Sequence, residues 1–438
     1  MKQVLSHYSL NESFIEVMLR IRKLFSSSLG RNLIYLYLVQ GANYLFPLVT
    51  LPYLSRVLGP QGFGLLAIGQ SLALYLQPLV EYGFALSGTR EVARHRGEKE
   101  VLTNIFSGVF GARLLLVLPA SLLALLALQL PALRQQEKIV FSALFWAIAW
   151  GNSPVWFFQG LERMRSVALL EVLTRSLATL GVFLLVREPE EAYLPLFLNG
   201  IAASLTSLVG HLWLFREMGF RFPNLKDAFL YLRLGWNLFF FRMAVSLYTV
   251  ANPLILSFFV TPAQVGLYAG AERLTKALLG MMEPWNRVFL PRFSHLVRSH
   301  PAEAYRLASR TILFMFLLGI LGALLVVLFA PWAVWLLLGP GYERAVPLMR
   351  ILSLLLPLIA LSFAMGVQWM LAWGMDRAFN GVIVSAGLLN LFLAPFLAHR
   401  LGALGMAGAV VLVEAWQLGA ILFYLSHTNK LPFGRSRR

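Results

Sequence analysis

Twelve apolar runs, each about 20 residues long and bounded by charges or Gly/Pro clusters, dominate this 438-residue chain. They lie near 33–55, 62–84, 104–128, 139–160, 166–186 and 193–215, then near 234–258, 265–289, 311–336, 346–371, 379–398 and 404–425. A soluble domain has no place to hide that many such runs, whereas a bilayer accepts each as a spanning helix. The composition agrees, because 58% of the residues are apolar and only 13% charged, roughly half the usual charged share. The expected fold class is therefore all-α integral membrane, with twelve transmembrane helices.

The net charge of +17 would suggest nucleic acid as a partner if the chain were soluble. Assigning the connections alternately to two sides gives a cheaper explanation. The side of the N terminus collects 24 Lys and Arg, the other side collects six, and seven fall within spans. An odd number of spans would destroy that asymmetry, so the positive-inside bias predicts both termini in the cytoplasm and no nucleic-acid surface. With no cysteine in the chain, disulfide frameworks, thiolate metal sites and thiol nucleophiles are excluded. No Walker lysine, HExxH or GxSxG pattern occurs, so the chain reads as a non-enzyme without a cofactor.

Sliding the chain on itself by 202 residues aligns 31–96 with 233–298, without gaps, at 15 identities in 66 positions. The matches include residues that apolar bias does not explain, among them Pro60 with Pro262, Gly64 with Gly266, Glu81 with Glu283 and Arg90 with Arg292. Six spans separate the copies, so the halves share one orientation and should be related by an axis along the membrane normal. The expected organisation is a cytoplasmic tail over 1–30, an N-lobe over 31–215 and a cytoplasmic linker over 216–233. A C-lobe over 234–425 and a basic cytoplasmic tail over 426–438 complete it. In residues 14–25 apolar and charged side chains mix as in a short amphipathic interfacial helix, with a loose tail as the alternative. Such parallel six-helix lobes, related by a pseudo-two-fold, favour alternating access to a central site.

The stretch from Leu38 to Gly97 resembles the opening of the Wzx-type polysaccharide (O-antigen) flippases, most clearly at Pro52-Tyr53-Leu54-Ser55-Arg56-Val57-Leu58-Gly59 and Thr89-Arg90-Glu91. Trp156 to Met164 is similar to that family's segment after its fourth helix, and Gly339 to Leu361 to its tenth-helix entry. The long N-terminal stretch departs from the family. The resemblance implies a member of the multidrug/oligosaccharidyl-lipid/polysaccharide exporter superfamily in a bacterial or archaeal cytoplasmic membrane. Its substrate would be a polyprenyl-diphosphate-linked oligosaccharide, its driving force a proton or sodium gradient, and its partners membrane lipid and a polysaccharide polymerase. A drug/cation exporter or a lipid II flippase of the same superfamily are the near alternatives. A membrane glycan polymerase or glycosyltransferase is the alternative from another class, although the short outer connections leave little room for catalytic groups.

Ionised groups at mid-bilayer cost about 2.5–3.5 kcal/mol each on insertion scales, so those within spans need partners or water. Glu171 with Arg175, Glu272 with Lys276 and Glu283 with Arg287 stand at i and i+4 and can neutralise each other, while Arg350 lies near enough to a helix end to snorkel. Arg113, Arg242 and Arg273 have no acid at helical spacing. These three, with Lys276 as a fourth, are the candidates to hold a diphosphate in a wet cavity; bonding to a carbonyl or a Glu on another helix is the alternative for each. Glu414, midway along the last span, is the candidate ion-coupling group, with an ion pair to another helix as its alternative.

Overall fold

The computed structural model describes residues 28–219, 221–280 and 282–433. The interfacial helix expected near 14–25 lies outside the described residues, as does the end of the basic tail. Every element among the described residues is helical. Eight helices are long and apolar enough to cross a membrane, and two of them are hairpins joined without a loop. In Ser28–Glu81 the turn is made at Gly59 (φ 60°, ψ 178°), a conformation open to glycine almost alone, with Pro60 starting the next helix. Gly402 does the same within Asp376–His427. Splitting these hairpins gives ten spans. Leu225–Thr249 extended by Asn252–Leu256, and Pro262–Gly280, add spans 7 and 8, which carry too many charges to pass on apolarity alone.

The remaining spans are Lys99–Ala127 (span 3), Glu137–Gly151 (span 4), Met164–Leu185 (span 5), Leu194–Met218 (span 6) and Pro301–Leu337 (span 9). Span 10 runs through Ala345–Leu352, Leu355–Ser362 and the π-helical Phe363–Met370. Span 9 begins ten residues before its apolar run, because Arg306 and Arg310 continue the helix into the aqueous phase. Phe84–Arg94, an amphipathic helix following span 2, was invisible as a separate element to a reading based on apolar runs. Between spans 6 and 7 the helices stop only from Gly219 to Asn224, whose side chain accepts the Lys226 N–H at 3.0 Å and starts span 7.

Side chains sort by solvent along each span. On span 5, Leu169, Leu173, Leu177, Leu180 and Leu184 are exposed at steps of three and four, a stripe that only lipid tolerates. The opposite faces pack closely through small residues: Gly69 meets Leu196 and Ile139, Gly200 meets Phe145, and Gly319 meets the backbone at Pro357.

The two lobes touch where the repeat is most literal. A Cβ on Gly64 of span 2 would lie 1.7 Å from the Pro262 carbonyl oxygen, and one on Gly266 of span 8 would lie 2.0 Å from the Pro60 carbonyl oxygen. The residues paired by the 202-residue repeat thus contact one another reciprocally, as a pseudo-two-fold axis between the lobes requires. Farther along the same helices Arg273 reaches Gln70, so spans 2 and 8 run parallel. Around the crossing the Tyr342 hydroxyl donates to the Ser55 carbonyl (3.2 Å), Ser55 Oγ donates to the Leu337 carbonyl (3.3 Å), and the Arg56 guanidinium donates to the Leu336 carbonyl. The lobes are closed together at this end.

Backbone at these distances cannot yield, so Gly64→Ala or Gly266→Ala should strain the crossing by about 1–3 kcal/mol and part the lobes there. The chain has no cysteine, so Ser55→Cys, now fully buried, makes a background-free reporter. It should resist a membrane-impermeant maleimide in the parent and react in the Gly64→Ala protein; equal protection in both would refute the crossing.

Candidate functional site

Arg273 leaves span 8 toward the N-lobe, donates to the Gln70 side-chain oxygen of span 2, and lies 4.7 Å from the centre of the Phe63 ring. A cation between the lobes is thus held by an amide and a π face rather than by a carboxylate. Arg242, on span 7, lies 3.1 Å from Glu81 at the end of span 2. The other Glu81 oxygen accepts the Ala85 N–H at 2.7 Å, so the same carboxylate starts the helix Phe84–Arg94. Two turns before Arg242 the backbone of Gly235 packs on Tyr82, and Phe239 stacks on that ring at 4.4 Å. The part of span 7 from Gly235 to Arg242 therefore rests on the N-lobe.

Arg113 is only 3% exposed. Its guanidinium lies between Phe84 and Trp156 and donates to the Ser153 carbonyl at 2.9 Å. It occupies the N-lobe interior, the carbonyl-bonded alternative, and does not line a wet cavity in this conformation. Lys276 is also apart from the arginines. The four cations expected around one cavity are thus distributed among four places, because each finds a counterpart on a neighbouring helix or on its own.

Span 7 breaks between Thr249 and Asn252, releasing carbonyls that no helix bond satisfies. Side chains from both lobes meet them: Lys276 of span 8 donates to the Thr249 carbonyl at 3.0 Å, and Ser71 of span 2 to the Val250 carbonyl at 2.5 Å. Lys276 also lies 3.1 Å from Glu272, which accepts the Tyr268 hydroxyl at 3.1 Å. Just past the break Asn252 accepts from Asn390 of span 11 at 3.2 Å. These groups line a cleft of about 620 Å³ whose far wall carries Glu414. The Glu414 carboxyl accepts from Gln417 at 3.2 Å and has no salt bridge among the described residues.

The pair Glu171–Arg175 forms at 2.6 Å and lines a second, smaller pocket with Trp146, Trp150 and Asn199. Arg350 donates to the Val327 carbonyl on span 9. The side chains of Glu283 and Arg287 lie outside the described residues. Sequence reasoning expected interhelical hydrogen bonding at Gln70 but not its pairing with Arg273, and missed Ser71 and the Thr249 carbonyl as partners. Of these, Pro253 after an Asn in a spanning run was the available signal for the last.

Two six-helix lobes meeting at a parallel pseudo-two-fold define the fold of a membrane exporter. The solved inward-closed lipid II flippase MurJ is similar with a TM-score of 0.64, at 16% identity over 87% of each chain. An inward-facing multidrug MATE transporter of the MOP superfamily is similar with a TM-score of 0.61, at 15% identity over 88% of this chain and 95% of that one. Residues 29–297 match the family model described as polysaccharide biosynthesis protein. The "Putative O-antigen transporter" of Escherichia coli (strain K12) is 32% identical over 409 residues, 92% of this chain and 98% of that one. Its namesake from Shigella dysenteriae is 28% identical over 88% of this chain and 96% of that one. The chain belongs to the polysaccharide biosynthesis protein family.

A half-buried ion pair between lobes should couple modestly. A double-mutant cycle over Glu81→Gln and Arg242→Gln is expected to return about 1 kcal/mol. Either single change should also raise the thiol reactivity of Phe239→Cys by loosening span 7 from the N-lobe. Additive effects with unchanged reactivity would make the pair incidental.

Proposed function

We propose that this protein flips a polyprenyl-diphosphate-linked oligosaccharide across the cytoplasmic membrane, by rocking its lobes about the span 2–span 8 crossing under an ion gradient. The observation that carries the reading is the placement of Arg242 and Arg273 on the C-lobe surface that meets the N-lobe, each held by an N-lobe partner it can exchange. Arg273 is bound to an uncharged amide and a ring, and Arg242 to a single carboxylate. A diphosphate offers both guanidiniums stronger, bidentate contacts. It would otherwise cross the low-dielectric centre unpaired, at prohibitive cost. The names of the two curated relatives support an O-antigen-type glycan as cargo. A polysaccharide polymerase acting on the delivered lipid is the matching partner.

In this scheme both termini lie in the cytoplasm, on the side carrying the excess of Lys and Arg, and the lobes are closed at the opposite face. Arg113, bonded inside the N-lobe, positions Trp156 and Phe84 rather than touching the lipid in this conformation. Glu414 is the group that takes up and releases the driving proton, since it faces a mostly apolar cleft without a cation of its own. The cargo and the coupling group therefore occupy different places along span 7, which carries Arg242 about two turns before the Thr249 break that borders the Glu414 cleft.

The direct measurement is flipping of a fluorescent polyprenyl-diphosphate oligosaccharide in proteoliposomes. Arg242→Ala and Arg273→Ala should each slow it at least about tenfold, which is about 1.4 kcal/mol of lost stabilisation. The Lys variants should keep part of the rate, retaining charge without the fork. Glu414→Gln should leave downhill flipping while removing its response to a pH gradient. Parental rates from both well-expressed Ala variants would refute the cargo role, and full gradient response from Glu414→Gln the coupling role.

A further inference from the structure

In the C-lobe cleft the Lys276 ammonium lies where a free cation would be expected. Its two oxygen partners are the last carbonyl of a broken helix, at Thr249, and the carboxylate of Glu272, at 3.0 and 3.1 Å. The exposed carbonyl end of a discontinuous spanning helix carries negative partial charge. Together with a nearby carboxylate it is the arrangement by which transporters hold monovalent metal ions. The side chains of Asn252, Asn390 and Thr275 border the same cleft and add oxygen atoms of the kind hard cations prefer.

The internal repeat supplies a control within one molecule. Shifted by 202 residues, Lys276 falls on Leu74, Glu272 on Gln70 and Thr249 on Pro47. The N-lobe is built on the same plan without the ammonium, the carboxylate or the broken-helix carbonyl. This charged set is therefore not a requirement of the six-helix bundle but an addition made to one lobe only.

We propose that the Lys276 ammonium is a tethered cation occupying a monovalent-cation site formed by the Thr249 carbonyl and the Glu272 carboxylate, so that sodium and potassium are excluded from it. The proposal rests on the ion-coupled flippase reading only for its consequence in transport. The charged groups facing the cleft are Lys276 and Glu272 from span 8 and Glu414 from span 12. Span 7 contributes Thr249 and Asn252, span 11 Asn390, and span 10 the apolar Leu352, Leu355 and Ile359. One ammonium against two carboxylates leaves a single uncompensated negative charge. A proton on Glu414 neutralises the cleft completely, whereas a metal ion would have to displace the lysine from both oxygens. Lys276 can be held in place by its own backbone at no cost in translational freedom, so a free ion at ordinary concentration competes poorly.

The test uses the purified full chain in detergent, with thermal unfolding followed in NaCl, KCl or N-methylglucamine chloride at one ionic strength. The parent should unfold at the same temperature in all three salts. Lys276→Ala should gain a specific shift of about 2–4 °C in NaCl or KCl at some tenfold above the dissociation constant. Adding Glu272→Gln should abolish that gain, and Lys276→Arg should never acquire it. If Lys276→Ala proves unstable, Lys276→Gln replaces it. Folding of either only in sodium or potassium supports the proposal, and failure of both in every salt overturns it by making the ammonium purely structural. A sodium- or potassium-specific shift in the parent, or none in a folded neutral variant, also overturns it. In proteoliposomes, sodium-driven flipping by the parent would refute the tethered cation while leaving the flippase reading standing. Absence of flipping would refute that reading and leave the binding result unaffected.

Discussion

In hydrocarbon no water is available to a peptide group, so a helix can be interrupted only where the protein supplies its own donors and acceptors. Two interruptions show how this is met. The hairpin turn at Gly59 sits at a membrane face, where Arg56 donates to the Pro52 carbonyl and to the Leu336 carbonyl of the other lobe. In the break in span 7, the Thr249 and Val250 carbonyls are met by Lys276 and Ser71, one from each lobe. Satisfying the backbone has thereby fixed where the lobes touch and where charged side chains are admitted.

The charges follow from the same constraint. Every spanning cation with a described side chain has a counterpart within hydrogen-bond or ion-pair reach: an acid, an amide oxygen or a carbonyl. Glu414 is different, with an amide but no cation. It shares its cleft with Lys276, but that ammonium is engaged by Glu272 and the Thr249 carbonyl. Glu414 stands on span 12, across the cleft from the break in span 7, a helix that also rests on the N-lobe.

Much of this architecture was legible in the sequence. The apolar runs located most spans to within a few residues, with spans 7, 8 and 9 displaced further at one end, and the ungapped repeat anticipated that Gly64 and Gly266 would be equivalent. The helical pairs Glu171–Arg175 and Glu272–Lys276 were read correctly from their spacing. The environments of Arg113, Arg242 and Arg273 were not legible, because spacing along one helix says nothing of Ser153, Glu81 or Gln70 arriving from others. Arg113 illustrates the limit: its depth suggested a cavity, yet it is buried in the N-lobe beside two aromatic rings and a carbonyl. The extension of span 9 to Pro301 and the helix Phe84–Arg94 were missed for the complementary reason. Their residues are polar enough to resemble connections while still forming helices.

The crossing at Gly64 and Gly266 lies near one end of spans 2 and 8, and backbone there touches backbone. Such a contact resists sliding and compression but not rotation, so it behaves as a fulcrum. From Gly64 to Glu81 the lever arm is about 26 Å at 1.5 Å per residue, so a tilt of about 10° would swing the far end of span 2 by roughly 4–5 Å. Because the pivot is set close to one face, that face moves little while the other gapes. A modest change of angle, of the size that exchanging one ion pair can bias, is geared into an opening on the scale of a phosphate group.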